Sequence, residues 1–524
     1  MNQPTTVENV ENIAPVKEKI ALLELTPRSA KLILAWYTSG VSFEVCDEIV
    51  EPLKAHEDIF REGYIKPTQI AGAIKVVKMF RKLCDAMHVT KAIAYASSDF
   101  RDAKNYFGVL EEIEIASGFK IRLMTPEDEI TACYTSVVNT LDIPKGVILN
   151  VEDDKAQVII YSRKNILYVN TIPFGADTLS ALFMEEGTPL QQTKAMYDFF
   201  KDELLKLKLP PELDISEMQF IGVGEVFKSL GTISRRGKKY PLDLAHNYVV
   251  SDKDIQDVFN AIKTLDVDKR SKIKGVSVAS AGVLTGGLSI VTALVEKFNI
   301  QRLVLAGASS VAIGVMFNQC VPITAEKPIV DILVYSLNAN IDYYGMDEQN
   351  GMHVYSLAMM LFKQLRVQHK LSRQHIKALK IACYLNGCGK RLRYQNSNKN
   401  ALPIILNSQI YGASHRDLVL AGFIVSSQNS EDFSLTEWVK YKDVVNEDDL
   451  DAVKKLAVLL KICVGLDKTQ QSHIKEIVCD VLGDSVIMKT VLREPNVEAG
   501  YEIECANEAR NDFKRVFGKN LELI

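Results

Sequence analysis

No Cys-x-x-Cys pair occurs in this chain, and its nine cysteines are scattered and odd in number. That excludes a disulfide framework and a zinc ribbon, and it matches reduced, cytoplasmic usage. Charge of one sign is lacking too: 62 Lys and Arg stand against 66 Asp and Glu, a formal net charge of -4. No global basic field argues for nucleic acid, so no specific DNA partner is expected, although a local patch stays open. Short-period repeats and low-complexity tracts are absent, which excludes a fibrous class. The opening MNQPTTVENVENIAPVKEK has no apolar core of the secretory kind. A disordered leader over residues 1–17 is expected instead.

What is present is a globular composition spread over 524 residues, 47% hydrophobic and 24% charged. At roughly 100–200 residues per domain, that length implies about three domains. Two stretches, Gly275 to Val295 and Leu303 to Ala325, carry no charge and are long enough to span a bilayer. Both are diluted with Gly, Ser and Thr, and the second contains Pro322, so buried helices and a strand are expected there. No membrane partner is expected.

The apolar patterning divides the chain into three parts. From residue 18 to 140, IALLEL and KLILAWY read as strands separated by a turn at Thr26-Pro27. Pro67 opens a helix, KAIAYA is a strand, and a helix over Asp102–Ala116 ends at Gly118. From 141 to 324 the order repeats: GVILNV, AQVIIYS and ILYVNTI in succession, then helices, with MQFIGVG and RLVLAG as later strands. Ile20–Leu25 and Val147–Val151 are thus expected to hold equivalent places in two similar α/β domains. From 325 to 524 the periodicity is helical, with Leu450, Val453, Ala457, Leu460 and Val464 on one face.

Four segments carry a resemblance: SSDFRDAKN (Ser97 to Asn105), TPEDEITACY (Thr125 to Tyr134), YPLDLAHNY (Tyr240 to Tyr248) and LAVLLKICVGLDKTQQSH (Leu456 to His473). In this order they are similar to segments of the exopolyphosphatase and guanosine pentaphosphate phosphohydrolase family, Ppx/GppA. The resemblance implies an α/β fold of two actin-like (ribonuclease-H-like) domains plus a C-terminal, mostly helical HD-like domain. It implies polyphosphate or a guanosine phosphate such as pppGpp as ligand, Mg²⁺ as a possible cofactor, and a homodimer. By the same resemblance Glu129 stands at the catalytic base, Arg101 at a phosphate-contacting Arg, and Asn105 and Gly224 at ligand-binding positions.

Hydrolysing a phosphoanhydride needs close backbone approach to phosphate, charge neutralisation, and a base to orient water. The family's first turn, D-x-G-S-N-S, is Glu24-Leu25-Thr26-Pro27-Arg28-Ser29 here. Glu24 keeps a carboxylate for a metal, and Arg28 and Ser29 could meet a phosphate, while Pro27 removes an N–H donor. A plain hairpin turn is the competing reading. The second turn, D-x-G-G-G-S-x-E, is Asn150-Val151-Glu152-Asp153-Asp154-Lys155-Ala156-Gln157. Three acids stand where phosphate would sit, and a solvated acidic hairpin is the plainer expectation. The family's late R-E-G segment is Ala312-Ile313-Gly314. Of the HD-type ligands only His353 is kept; H-D-I-G appears as Asn386-Gly387-Cys388-Gly389 and H-H-K-H as Ser397-Asn398-Lys399-Asn400. Glu129 itself has two open readings, a base or an acid complementing a helix dipole. The expectation is a degenerate family member, a pseudoenzyme that binds rather than hydrolyses; the rival is a working phosphohydrolase with altered turns.

Overall fold

Lys17–Leu25 forms β1, and its apolar run is enclosed on both faces: Ile20 to Leu23 and Leu25 are all buried. A strand covered on both sides reads as a continuous hydrophobic run rather than an alternation. A computed structural model of the chain describes residues 17–524, apart from 39, 163–164, 184–186 and 430–432. The leader expected over 1–17 lies outside the described residues except for Lys17.

The first sheet adds β2 (Ser29–Thr38), β3 (Ser42–Pro52), β4 (Lys91–Ala96) and β5 (Ile121–Leu123), in the order β3-β2-β1-β4-β5. β1 runs antiparallel to β2 and parallel to β4. Pro67 does open a helix, Pro67–Ala86, whose Ile70, Val77, Phe80 and Cys84 are buried. The helix Tyr106–Ser117 ends at Gly118, which adopts φ 73°, a left-handed cap that glycine takes without strain.

The second sheet comprises β6 (Lys145–Val151), β7 (Ala156–Ser162), β8 (Asn165–Ile172), β9 (Gln219–Val223), β10 (His246–Ser251) and β11 (Arg302–Ala306). Its order is β10-β11-β9-β6-β7-β8. Counted from its own first strand, each sheet therefore runs third, second, first, fourth. β1 and β6 hold the same place in two separate sheets, as expected. β3 and β10 were not legible as strands, because β3 (SFEVCDEIVEP) exposes acids along an edge and β10 is short and polar at its start.

The charge-free stretch from Gly275 holds the helix Leu284–Lys297, buried from Leu284 through Val295. Among the described residues no helix is long and apolar enough to cross a membrane. The C-terminal part packs Leu361, Leu379, Val419, Phe423 and Leu460 into one core. It is not wholly helical. β12 (Ile474–Val481), β13 (Ser485–Leu492) and β14 (Asn520–Leu523) form a three-stranded sheet. Only a few inward residues, Ile477, Val486, Met488 and Leu521, mark its buried face. Apolar Val478 on the other face, and Val481 exposed at the strand's end, blur the period-2 signal.

The chain divides into two compact units: Met1–Asn139 with Ile159–Val169 and Ser309–Ile329, and Thr140–Val158 with Asn170–Ala308 and Val330–Ile524. Within the second unit, two histidines tie the helical part to the sheet. His415 Nε2–H donates to the His246 carbonyl at 2.9 Å, and His415 Nδ1 accepts from the Tyr240 hydroxyl at 2.9 Å. His246 Nε2–H donates to the Thr140 carbonyl at 3.1 Å, and its Nδ1 accepts from Ala308 N–H at 3.2 Å. Each ring uses one donor and one acceptor, so both are neutral. Burial pushes both imidazoles down to about 4.

Above pH ~6.5 both histidines are neutral in folded and unfolded chains, and the stability is complete. As the pH falls from ~6.5 towards ~4, only the unfolded chain takes up these protons, so stability is lost across that window. Each histidine accounts for about 3 kcal/mol at the limit. Urea unfolding from pH 7 to pH 4.5 should show this fall. His415→Gln keeps a donor and an acceptor but cannot titrate, and should make the fall shallower; an unchanged slope would contradict the assignment.

Candidate functional site

Glu129 lies in the first turns of the helix Pro126–Val138. That helix starts where it does because Thr125 and Asp128 form a reciprocal capping box and Pro126 occupies its first position. Glu129 is buried, with 3% of its surface exposed. Its Oε1 accepts from the Ser98 N–H at 2.6 Å and its Oε2 from the Ser98 hydroxyl at 2.7 Å. The carboxylate thus anchors the 3-10 turn Ser98–Asp102 that carries Arg101. Arg101 is exposed and has no ion pair among the described residues. Asn105 is committed elsewhere: it accepts from Ile65 N–H at 2.9 Å and donates to the Ile65 carbonyl at 2.8 Å.

The turn Glu24–Ser29 belongs to the same unit. Its backbone donors are taken by the turn itself. Thr26 Oγ1 accepts from Arg28 N–H at 3.2 Å and from Ser29 N–H at 3.0 Å, and Thr26 N–H donates to the Ser29 carbonyl at 2.9 Å. The Arg28 carbonyl accepts from Leu53 N–H at 2.6 Å. Burial, and next the Arg28 guanidinium, hold the His56 imidazole below its usual range. Glu24 accepts from the Tyr95 hydroxyl and pairs with Lys31 Nζ at 3.0 Å. A carboxylate neutralised by a lysine is a poor Mg²⁺ ligand, because the cation must displace another cation. Glu24 therefore does not fit the metal the resemblance implies. Among the described residues no group of three or more His, Cys, Asp or Glu is gathered to hold a metal ion.

The acidic turn lies in the second unit. It is not the solvated hairpin expected from its sequence. Lys155 is buried, and its ammonium lies 3.4 Å from Glu152 Oε2 and 3.5 Å from Asp154 Oδ2. Asn150 Nδ2 donates to Glu152 Oε1 at 2.8 Å. The carbonyls of Glu152 and Asp153 accept from the N–H groups of Ala176 and Asp177, both at 2.8 Å, which open the helix Ala176–Leu182. The first donors of this helix are thereby filled by the turn's own backbone. Gly175 and Gly224 make this packing possible. A Cβ on Gly175 would collide with the Asp153–Asp154 backbone, and one on Gly224 (φ 116°) with the Val151 carbonyl. Gly224 so explains its own presence without a ligand.

In the helical part, His353 Nε2 is buried without a hydrogen bond. Asp467 shares its surroundings, but its oxygens accept from Asn350 Nδ2 and Ser472 N–H, each at 2.8 Å. Burial chiefly holds the His353 imidazole low.

Ser98 and Gly175 were not legible in the sequence. Ser98 lies within the segment Ser97 to Asn105, but its tie to Glu129 is long-range; Gly175 gives no local signal, because its constraint comes from a turn over twenty residues away in sequence.

The Ppx/GppA phosphatase family model matches residues 41–318, and the model of that family's domain III matches 335–499. A guanosine-5'-triphosphate,3'-diphosphate pyrophosphatase of Aeromonas salmonicida is 23% identical over 196 residues, 37% of this chain and 38% of that protein. Among solved structures, the Aquifex aeolicus Ppx/GppA family member aligns with TM-score 0.50 at 22% identity, over 58% of this chain and 98% of that one. An exopolyphosphatase from Cytophaga hutchinsonii aligns with TM-score 0.52 at 14% identity, over 58% of this chain and 98% of that one. The chain has the fold these share: two actin-like domains, with a C-terminal part of mostly helical character.

Ser98→Ala should expose the cost of the Glu129 anchor. The buried carboxylate keeps the backbone donor and loses the hydroxyl, for about 1.5–3 kcal/mol. Urea midpoints at constant m-value measure this, and a loss below ~0.5 kcal/mol would show that the anchor is not structural.

Proposed function

Because the chain belongs to the Ppx/GppA phosphatase family, we propose that it is a catalytically degenerate member. It keeps the fold and holds a phosphorylated ligand or a protein partner, with little or no hydrolysis. We infer three functional parts, 18–140, 141–324 and 325–524, in a cytoplasmic protein that forms a homodimer. The observation that carries the reading is the Thr26 hydroxyl, which occupies the Arg28 and Ser29 N–H groups at 3.2 and 3.0 Å. A phosphate seated at this turn would have to break both bonds. At the second turn, a phosphate would meet the acids at residues 152–154, with repulsion of about 4 kcal/mol per charge pair at 4 Å for an effective dielectric of ~20. Lys155 offsets part of this.

A second reading is an active exopolyphosphatase or pppGpp phosphohydrolase. Its support is the buried Glu129 beside the exposed Arg101. In that reading Glu129 would orient a water and Arg101 would meet phosphate charge, with Ser29 and Arg28 assisting.

Phosphate release from polyphosphate and from pppGpp, with Mg²⁺ and at fixed ionic strength, separates the two. The degenerate reading expects no release by the wild type above a Glu129→Ala control. Release that Glu129→Ala abolishes would establish the enzyme. A repaired turn, with residues 150–156 rewritten as Asp-x-Gly-Gly-Gly-Ser-x, should bind polyphosphate about tenfold more tightly, a gain of ~1.4 kcal/mol. It should still not hydrolyse it, because the first turn remains capped. Equal binding before and after repair would remove the acids as the barrier.

A further inference from the structure

Between Gln349 and Arg416 the chain contains no Asp or Glu, yet it holds six lysines and five arginines. In a chain of net charge -4, that is a strongly one-signed segment. Much of it lies on buried helices, and three of its cations reach out to acids elsewhere in the unit: Lys377 to Asp142, Lys380 to Asp331 and Arg416 to Asp449. The loop between Gly389 and Ser397 differs. Every residue from Lys390 to Asn396 is exposed, and none forms an ion pair among the described residues.

The loop is built rather than loose. Its ends are pinched together, because Gly389 packs so closely on Ser397 and Ala401 that a Cβ would strike their backbone. Leu392 and Arg393 N–H groups donate to the Gly389 carbonyl at 3.2 and 3.3 Å, and Ser397 N–H donates to the Tyr394 carbonyl at 3.3 Å. Arg391 Nη2 donates to the Gly345 carbonyl, which brings the turn after Tyr343 alongside. Tyr394 is 82% exposed and Tyr343 55% exposed. The nearest acids, Asp342, Asp347 and Glu348, are engaged: Asp347 caps Gln349 N–H at 2.9 Å and Glu348 accepts from Asn338 at 2.6 Å.

We propose that this loop is a binding surface for single-stranded RNA. Lys390 and Arg393 supply charge for backbone phosphates, Arg393 being held by Gln395 Oε1 at 2.5 Å; Tyr394 and Tyr343, the latter meeting Tyr344 edge-on at 5.1 Å, supply exposed aromatic surface on which bases stack, and Asn396 offers an amide to base edges. Cations interleaved with exposed aromatics are the requirement for holding an unpaired strand. An anionic membrane is less well matched, since Leu392 is the loop's one exposed aliphatic side chain. A polyphosphate chain would have no use for the aromatic faces. The surface lies outside both hairpin turns, so it stands or falls independently of the hydrolase question.

Fluorescence anisotropy of labelled oligouridine against the full chain tests this. Lys390→Ala with Arg393→Ala should weaken binding at least about tenfold at low salt and flatten the salt dependence by about 1.4 in log–log slope, two phosphates' worth. Tyr394→Ala should weaken binding at least about fivefold and leave that slope unchanged. Circular dichroism and thermal melts should match the wild type, because all three side chains are exposed. Charge dependence without any Tyr394 effect would overturn the proposal in favour of a general polyanion surface. Equal competition by inorganic polyphosphate would do the same. Leu392-dependent binding to phosphatidylserine vesicles without RNA binding would assign the loop to membranes instead.

Discussion

The Thr26 hydroxyl sits over the backbone of its own hairpin, accepting from two consecutive-turn N–H groups at 3.2 and 3.0 Å. An anion site made of backbone amides works only if those amides are short of acceptors. Here they are not. The second hairpin reaches the same end by another route, with the carbonyls of Glu152 and Asp153 capping the helix Ala176–Leu182 and Lys155 drawn in against its acids. In both turns the donors and charges are closed internally, so each turn is stable without a ligand. A bound phosphate would then have to outcompete short intramolecular bonds that carry no association entropy.

The glycines separate packing from ligand binding. Where the resembled turns carry glycines that would let a phosphate approach, this chain has Thr26, Glu152, Asp153 and Asp154. The glycines that remain, Gly175, Gly224 and Gly314, each face backbone that a Cβ would strike: Asp153–Asp154, Val151 and Ala132. Packing between secondary-structure elements accounts for all three.

The sheet openings were legible because their strands are covered on both faces, and burial forces a continuous apolar run such as Ile20–Leu25 or Val147–Val151. Edge elements were not. β3 pairs through its backbone while showing Asp47 and Glu48 to solvent, and β12 presents Val478 outward, so neither shows a clean period. At the site, the identities of Glu129, Arg101 and Asn105 could be read, but not their commitments. Asn105 stands at a ligand-contact position by the resemblance, and in the structure its amide staples Ile65, forty residues away. The acidic turn misled in the opposite sense: three adjacent acids suggest a solvated loop, whereas one following lysine is enough to pull them half under the surface. Such choices depend on contacts distant in sequence, which local pattern does not carry.

The segments that resemble metal-binding stretches, Asn386 to Gly389 and Ser397 to Asn400, now bracket the exposed basic loop, and Gly389 against Ser397 is the contact that closes it. Asp467 keeps its carboxylate but spends it on Asn350 and Ser472, and Asn386 spends its amide oxygen on Gln428. A buried carboxylate or amide must find partners, and here these polar groups pair with each other. The packing of Gly389 on Ser397 joins the loop's two ends without a metal. Joined ends are the condition for an exposed loop of cations and tyrosines to present a fixed surface, since a floppy one would lose the ordering entropy on binding. Metal ligation and the display of a basic loop are therefore alternative uses of the same two chain segments, and this sequence has the residues for the second.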